Sequence, residues 1–337
     1  MSDTSGSIRQ SIQAGVDAVF ERPGDLGVSL AMVVVHDGRI VAERYGVSPE
    51  NIFEPAKQIT AGSTLISWST AKSMLHAGVG ILVNDGVLDV EAPAAVREWA
   101  GTPKAAITVR DLLEMRSGLR FVEDYVDDGI SHCIAMLFGE GTHDHAAYAS
   151  GLPLDHTPGA VWSYSSGTTN IISRILGNAI GGGREGMEQF LHDRLFEPLG
   201  MSSAVPKFDE VGTWVASSYV YATATDFARF GELYRNDGVT SAGVRVLPVG
   251  WADHGRTKVA HDPEAALVGG LDYGRHWWMW PKYPGSIAAH GHEGQYVVVV
   301  PDRRLTVVHL GKTDAAVAGE LLSLLDALVA SVPVGPS

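Results

Sequence analysis

A lysine stands at the start of one of the most apolar segments of this chain. Residues 67–73 read SWSTAKS, and the chain continues as MLHAGVGILV at 74–83. An ammonium group entering such a helix costs free energy unless a partner or a chemical role holds it there. Residues three apart lie on one face of a helix, so Ser69 and Lys72 can meet, and a desolvated lysine can take the serine proton. The pattern predicts a serine nucleophile with a lysine beside it. An N-cap serine with a snorkelling surface lysine is the alternative, since about half a Ser-x-x-Lys match arises by chance.

A second stretch, PGAVWSYSSGTTN at 158–170, places a tyrosine just before a predicted helix. The phenol of Tyr164 could point at the seryl oxygen and carry a proton to the leaving group. Taken alone, the same pattern also fits a buried tyrosine with one satisfied hydroxyl.

A third stretch, AAHGHEGQYVVVVP at 288–301, contains His290, Gly291 and His292. We predict that these residues open a β-strand that runs through the glycines and Gln295. Glycine at 291 and 294 lets the backbone approach a ligand closely, as an oxyanion-hole strand requires.

Strand patterns occupy both ends of the chain and helical patterns occupy the middle. Predicted strands lie at 27–46, 271–280, 294–301 and 304–311. Predicted helices lie at 8–22, 70–84, 108–116, 167–180, 186–198, 223–238 and 314–330. This order predicts an α+β fold in which both ends of the chain build one antiparallel sheet. We expect a single domain with an α/β lobe from 1–66 and 204–337, a helical lobe from 67–203, and the site in the cleft between them.

Composition excludes several partner classes. The net charge of −14 disfavours nucleic acid and anionic membranes as partners. The segment MSDTSGSIRQ (1–10) lacks the pattern of a secretory signal, and no apolar run is long enough to span a bilayer. The only cysteine, Cys133, excludes an internal disulfide and fits a cytoplasmic location. We expect it to be a buried small hydrophobe and not a nucleophile.

The histidines and tryptophans raise two further alternatives. His143 and His145 lie in GTHDHAAY (141–148), but a third ligand is missing, so a solvated loop is favoured over a metal site. His290 and His292 alternate on the predicted strand and should face opposite sides. No metal or cofactor is predicted. The cluster WWMW (277–280) favours a core position over an aromatic substrate pocket.

Together these motifs resemble the serine β-lactamase and penicillin-binding-protein-like hydrolases. Ser-Thr-Ala-Lys (69–72) matches the first motif, Tyr164-Ser165-Ser166 the second, and His290-Gly291-His292 occupies the place of the third. Supporting stretches in the same order are LLEMRSGL (112–119), EPLGMSS (197–203), ATATDFARFGELYRNDG (222–238) and VRVLP (244–248). The third motif lacks the lysine that grips a substrate carboxylate, and FVEDY (121–125) is most similar to the 6-aminohexanoate-dimer hydrolase and carboxylesterase branch.

This resemblance implies a β-lactamase/transpeptidase-like fold and a serine hydrolase for small esters or linear amides. It implies catalytic roles for Ser69, Lys72 and Tyr164, and a tyrosine, Tyr125, that closes over the substrate. The backbone N–H groups of Ser69 and Glu293 are expected to form the oxyanion hole. Substrate contacts are expected from Tyr125, Ser166, His290, Gly291 and His292. β-lactamase or D-amino-acid peptidase activity, acyl transfer, and a non-catalytic binding relative remain alternatives, and the oligomeric state is left open.

Overall fold

The computed structural model describes residues 2–52, 54–125, 129–267 and 269–335. Its helices are α1 Ser2–Phe20, α2 Thr70–Asn84, α3 Val109–Leu113, α4 His132–Phe138, α5 His145–Gly151, α6 Ser166–Ile180, α7 Gly183–Leu191, α8 Glu197–Leu199, α9 Ala224–Arg235, α10 Trp251–Gly255 and α11 Ala318–Ser331. A π-helical stretch at His192–Phe196 joins α7 to α8. The strands are β1 Val28–His36, β2 Arg39–Tyr45, β3 Val47–Ser48, β4 Lys57–Gln58, β5 Leu65–Ile66, β6 Val205–Pro206, β7 Val220–Ala222, β8 Ala260–Asp262, β9 Leu271–Tyr273, β10 Trp278–Met279, β11 Ile287–Gly291, β12 Gln295–Val300 and β13 Leu305–Lys312.

Both ends of the chain contribute to one antiparallel sheet, which confirms the predicted α+β fold. Its strand order is β2-β1-β13-β12-β11-β10-β9-β8, so β1 from the beginning of the chain pairs with β13 from the end. Asp37 and Gly38 join β1 to β2 with positive φ angles of 52° and 72°. Two consecutive left-handed residues suit a two-residue hairpin, because their twist matches that of the flanking strands.

Helices cover both faces of this sheet. On one face α1 and α11 pack together over an apolar layer that includes Met32, Val298 and Leu325. On the other face α9 packs on β12 and β13, and α2 packs on β11. Burial on both faces explains why the strand reads as a continuous apolar run from 296 to 300 and not as an alternating one.

Helix α2 lies in the middle of the molecule and carries Lys72 into the core. Every residue from Thr70 to Leu82 is buried, and the helix contacts both α6 and the sheet. A helix that is apolar all round is buried on all sides. The apolar sequence after Lys72 therefore reflects the central position of this helix.

The predicted strand around His290 is interrupted, and this part of the prediction was wrong. Strand β11 ends at Gly291, and β12 begins only at Gln295. Between them Glu293 has a φ of 60° and Gly294 a φ of 83°, so the chain reverses direction there. A Cβ atom on Gly291 would lie 2.5 Å from the carbonyl oxygen of Ser67. Glycine is required here because the end of β11 packs against the backbone just before Ser69.

Among the described residues, no helix has both the length and the apolar character needed to cross a bilayer. The elements between Thr70 and Leu199 are helical, as the sequence order predicts. The lobe boundaries at 67 and 203 stay a prediction.

Candidate active site

Ser69 stands at the first turn of α2, where the preceding residue has an unusual backbone conformation. Trp68 has a φ of 43°, which is rare for a bulky side chain. The turn is anchored by Ser67, whose amide donates to Val220 O at 2.9 Å and whose hydroxyl donates to Ser218 O at 3.0 Å. Ser69 is the N-cap residue, but its hydroxyl makes no capping hydrogen bond. The hydroxyl is therefore available for chemistry.

Lys72 is 2 % exposed and has three oxygen atoms around its ammonium group. Its Nζ lies 2.8 Å from Ser69 Oγ, 2.9 Å from Ser166 Oγ and 2.9 Å from Ser217 O. Burial lowers the pKa of Lys72 from the ordinary value of 10.5, while Glu123 and Cys133 act in the opposite direction. A buried lysine in contact with a serine hydroxyl is the arrangement expected for a general base.

Tyr164 belongs to the same cluster, because it forms a hydrogen bond with Ser69 and its ring centroid lies 5.0 Å from Lys72 Nζ. Its ring stacks on Trp278 at 5.7 Å and meets Tyr273 edge-on at 5.8 Å between ring centroids. Burial, followed by the negative charge of Glu123, raises the pKa of Tyr164 above its ordinary value of 10.0, while a hydrogen bond with Ser69 lowers it. The phenol is therefore protonated at neutral pH and suits an acid that protonates the leaving group. Lys72 is the better candidate for the base.

The turn after β11 forms the opposite wall of the site. Glu293 accepts a hydrogen bond from the indole of Trp68 at 3.2 Å, so the turn is tied to the residue before the nucleophile. His292 packs against the rings of Trp68 and Tyr125, at 5.7 Å and 5.2 Å. Glu293 and Ser69 both line the cavities beside this wall, and the oxyanion hole formed by their backbone N–H groups stays a prediction.

His290 and His292 line the same cavity, and the prediction that they face opposite sides was wrong. Side chains two residues apart on a regular strand point to the same face, so alternation gave no ground for placing these two on opposite sides. The strand itself ends at Gly291, and His292 belongs to the turn that follows. Burial lowers the pKa of His290 to about 3, and its Nε2 accepts a hydrogen bond from the Trp280 indole at 3.1 Å. His290 is a neutral acceptor at physiological pH.

The residue that sequence reasoning missed is Glu123, in the stretch FVEDY. Its carboxylate accepts hydrogen bonds from the amide and the hydroxyl of Ser166 at 2.7 and 2.6 Å. The hydroxyl of Tyr125 donates to it at 2.9 Å. Ser166, which was predicted to contact substrate, is 1 % exposed, is held between Lys72 and Glu123, and lines a cavity beside Ser69, so its contact with substrate stays a prediction. The sequence did offer one signal for Glu123, namely a carboxyl group two residues before Tyr125, the tyrosine predicted to close over the substrate.

This arrangement of Ser69, Lys72 and Tyr164 on an α+β scaffold can be compared with known proteins. Residues 16–330 match the beta-lactamase family. The chain belongs to that family. It is a serine hydrolase of the β-lactamase fold.

Proteins that are similar to this chain in sequence or in fold have different activities. The chain is 25% identical to the 6-aminohexanoate-dimer hydrolase of Paenarthrobacter ureafaciens over 327 residues, covering 88% of this chain and 77% of the relative. A family VIII carboxylesterase has a similar structure, with a TM-score of 0.70 at 14% identity, covering 97% of both chains. EstCE1, a hydrolase with promiscuous acyltransferase activity, also has a TM-score of 0.70 at 14% identity, covering 95% of this chain and 99% of the other.

Two cavities meet at Ser69 in this serine hydrolase. The smaller one, of about 150 Å³, reaches toward α4. Its apolar walls are Trp68, Tyr125, Cys133, Ile134, Leu137 and Phe138. The larger one, of about 430 Å³, is lined by aromatic and acidic side chains that include Trp162, Tyr164, Trp278, Glu123, Asp262 and Glu293. Both cavities are lined in part by Ser69, Tyr125, His292 and Glu293.

The three tryptophans of the cluster WWMW (277–280) lie in two environments, the core and the wall of a cavity. Trp277 and Trp280 are fully buried, whereas Trp278 lines the larger cavity.

Cys133 is buried as predicted, and burial together with Glu123 raises its pKa to about 12. Its thiol is therefore a wall of the small cavity and not a nucleophile.

The two histidines near 143 lie in different settings, and the predicted solvated loop is confirmed for His143 but not for His145. His145 is 5 % exposed at the start of α5, so the predicted solvated loop was wrong for this residue. Its amide donates to Asp209 at 3.1 Å, and Asp144 caps the helix by accepting from Ala147 N at 2.8 Å. The exposed His143 pairs with a different acid, Glu210. Each histidine has its own carboxylate partner, which argues against joint metal ligation.

Proposed function

We propose that this chain is a carboxylesterase that hydrolyses esters of short acids through an acyl-enzyme on Ser69, with small linear amides as slower substrates. The observation that carries the proposal is the Ser69–Lys72–Tyr164 cluster placed between a small apolar cavity and a larger aromatic one. Ser69 Oγ attacks the carbonyl carbon, Lys72 takes its proton, and Tyr164 protonates the departing alcohol. Water then hydrolyses the acyl-enzyme.

We assign the short acyl chain to the smaller cavity and the leaving group to the larger one, whose charge favours neutral or cationic leaving groups. Three carboxylates, Glu123, Asp262 and Glu293, line it, and no lysine or arginine lines it among the residues that the structure describes. His290 adds no charge, because burial keeps its pKa at about 3. Proteins bind carboxylates through arginine and lysine. A β-lactam or a linear dimer that carries its carboxylate into this cavity therefore meets repulsion.

We expect the enzyme to hydrolyse neutral short-chain esters at least tenfold faster, in kcat/KM, than nitrocefin, the linear 6-aminohexanoate dimer, or an ester whose leaving alcohol carries a carboxylate. The carboxylates of the larger cavity repel an anionic substrate, and esters also have better leaving groups than amides. The measurement is a substrate panel run on the wild type and on Ser69→Ala at low ionic strength, where repulsion between charges is least screened.

Asp262→Asn provides a matched control for the role of charge. It removes one negative charge from the cavity wall without touching Ser69, Lys72 or Tyr164. We expect it to raise the relative rate on the anionic ester and to leave the rate on the neutral ester unchanged. Turnover of nitrocefin faster than that of neutral esters would contradict the proposed function.

A further inference from the structure

Glu123 has no assigned part in acyl transfer, yet it lies directly behind the base. Its two oxygens accept the amide N–H and the hydroxyl of Ser166 at 2.7 and 2.6 Å. The loop that carries it is seated by Phe121, for which Gly167 leaves room, since a Cβ at that glycine would lie 2.5 Å from the ring. The amide of Val122 is held by His132 Nδ1 at 2.8 Å. The position of the carboxylate is therefore set by the surrounding structure.

The donors and acceptors around Ser166 fix the direction of its hydroxyl proton. A carboxylate only accepts, and a serine hydroxyl has one proton to give. Because that proton goes to Glu123, the oxygen of Ser166 must accept from Lys72.

Besides its bond to Cε, Lys72 Nζ has three tetrahedral positions, and two of them carry N–H groups that are fixed by their acceptors. The carbonyl of Ser217 can only accept, so it takes a second N–H of the lysine. The remaining tetrahedral position faces Ser69 Oγ at 2.8 Å. In the neutral amine this position is the lone pair.

We propose that Glu123 is a positioning residue that, by orienting the Ser166 hydroxyl, directs the lone pair of Lys72 at Ser69. The inference rests on the proposed function, since it concerns the base of that reaction. Glu123 acts through Ser166 and Lys72 and does not itself exchange a proton with the substrate.

Glu123 also sets the charge balance around the lysine. Among the residues that the structure describes, the titratable groups that face Lys72 are Glu123, Cys133, Tyr164 and His276. The pKa of Cys133 is raised to about 12, that of Tyr164 is raised, and that of His276 is lowered to about 3, so these three are neutral near pH 7. Of the two groups that oppose the effect of burial on the pKa of Lys72, Glu123 acts more strongly than Cys133.

Glu123→Gln tests both the orientation of Lys72 through Ser166 and the negative charge beside Lys72, with little change in the shape of the side chain. The glutamine oxygen can accept from the Ser166 amide, which leaves its NH₂ group facing the Ser166 hydroxyl. That hydroxyl must then turn its proton elsewhere, and Lys72 loses its fixed orientation. Loss of the negative charge also lowers the pKa of Lys72 further, so the rise of rate with pH moves to lower pH.

The experiment measures the rate at which a p-nitrophenyl alkylphosphonate labels Ser69 between pH 5 and 10. In this step Ser69 Oγ bonds to phosphorus, p-nitrophenolate leaves, and the serine proton passes to Lys72. The variants are Glu123→Gln, Ser166→Ala and the double variant. We expect Glu123→Gln to lower the plateau rate at least tenfold and to shift the midpoint to lower pH.

Ser166→Ala separates orientation from charge. It should lower the plateau rate by a similar factor while shifting the midpoint less, because Glu123 keeps its charge. The double variant should be no slower than the slower single variant, since both changes break one chain of contacts. Additive losses, or an unchanged midpoint in Glu123→Gln, would overturn the proposal. A wild-type chain that is not labelled on Ser69 would instead overturn the serine hydrolase function itself.

Discussion

Replacing Lys72 by arginine is expected to lower kcat by a factor of about 10² to 10⁴, the usual contribution of a positioned acid–base group. Arginine keeps a positive charge but cannot give up its proton. Lys72 is the base proposed here, so charge alone should not rescue the reaction. The measurement is steady-state turnover of a neutral ester.

Folding of this variant needs its own control, because Lys72 is 2 % exposed and arginine is larger. Lys72→Met fills nearly the same volume without a charge and is expected to be folded and equally inactive. Circular dichroism and thermal unfolding check both variants. A folded Lys72→Arg enzyme with most of the wild-type rate would mean that Lys72 supplies only charge and that Tyr164 is the base.

Replacing Tyr164 by phenylalanine is expected to have an effect that depends on the leaving group. The ring contacts with Tyr273 and Trp278 remain, so the site should keep its shape. Without the phenol, an alkyl alcohol has no acid to protonate it, and we expect a loss of about 10² to 10⁴ in kcat on ethyl or glyceryl esters. Loss on a p-nitrophenyl ester should be at least tenfold smaller, since p-nitrophenolate leaves without a proton.

The comparison between the two ester classes is the control within this experiment. A general structural defect would lower both rates alike. Equal losses on the alkyl and the p-nitrophenyl ester would therefore show that Tyr164 positions Ser69 or Lys72 and does not act as the acid.

The catalytic cluster was accessible from the sequence because its members follow local rules. Ser69 and Lys72 are three residues apart on a helix, and the spacing alone brings them within reach of each other. The loop pattern before α6 indicated that Tyr164 could approach Ser69, but a buried structural tyrosine also fitted that pattern, because the approach depends on how α6 packs against α2. The family resemblance then favoured the catalytic role. The position of Trp278, the neighbour of Tyr164, in the cavity wall could not be predicted either, because the alternation of side chains along a strand does not tell which face meets the cavity.

Other features depend on tertiary contacts that no local pattern records. Glu123 lies on a loop without periodicity, and its direction is set by the packing of Phe121 on Gly167 and by His132. The turn at Glu293 requires a positive φ at a residue that rarely adopts one, which hid the end of β11. Helix α5 is only seven residues long, and its one local signal was Asp144 as the N-cap residue.

The central claim is that Ser69 is the nucleophile, and covalent labelling tests it most directly. The protein is treated with a p-nitrophenyl alkylphosphonate, and its intact mass and peptide map are recorded. We predict a mass increase of one phosphonyl group per chain, located on Ser69 in the peptide that spans 67–73 and absent in Ser69→Ala. Equal labelling of Ser69→Ala, or a label on any other residue of the wild type, would contradict the account.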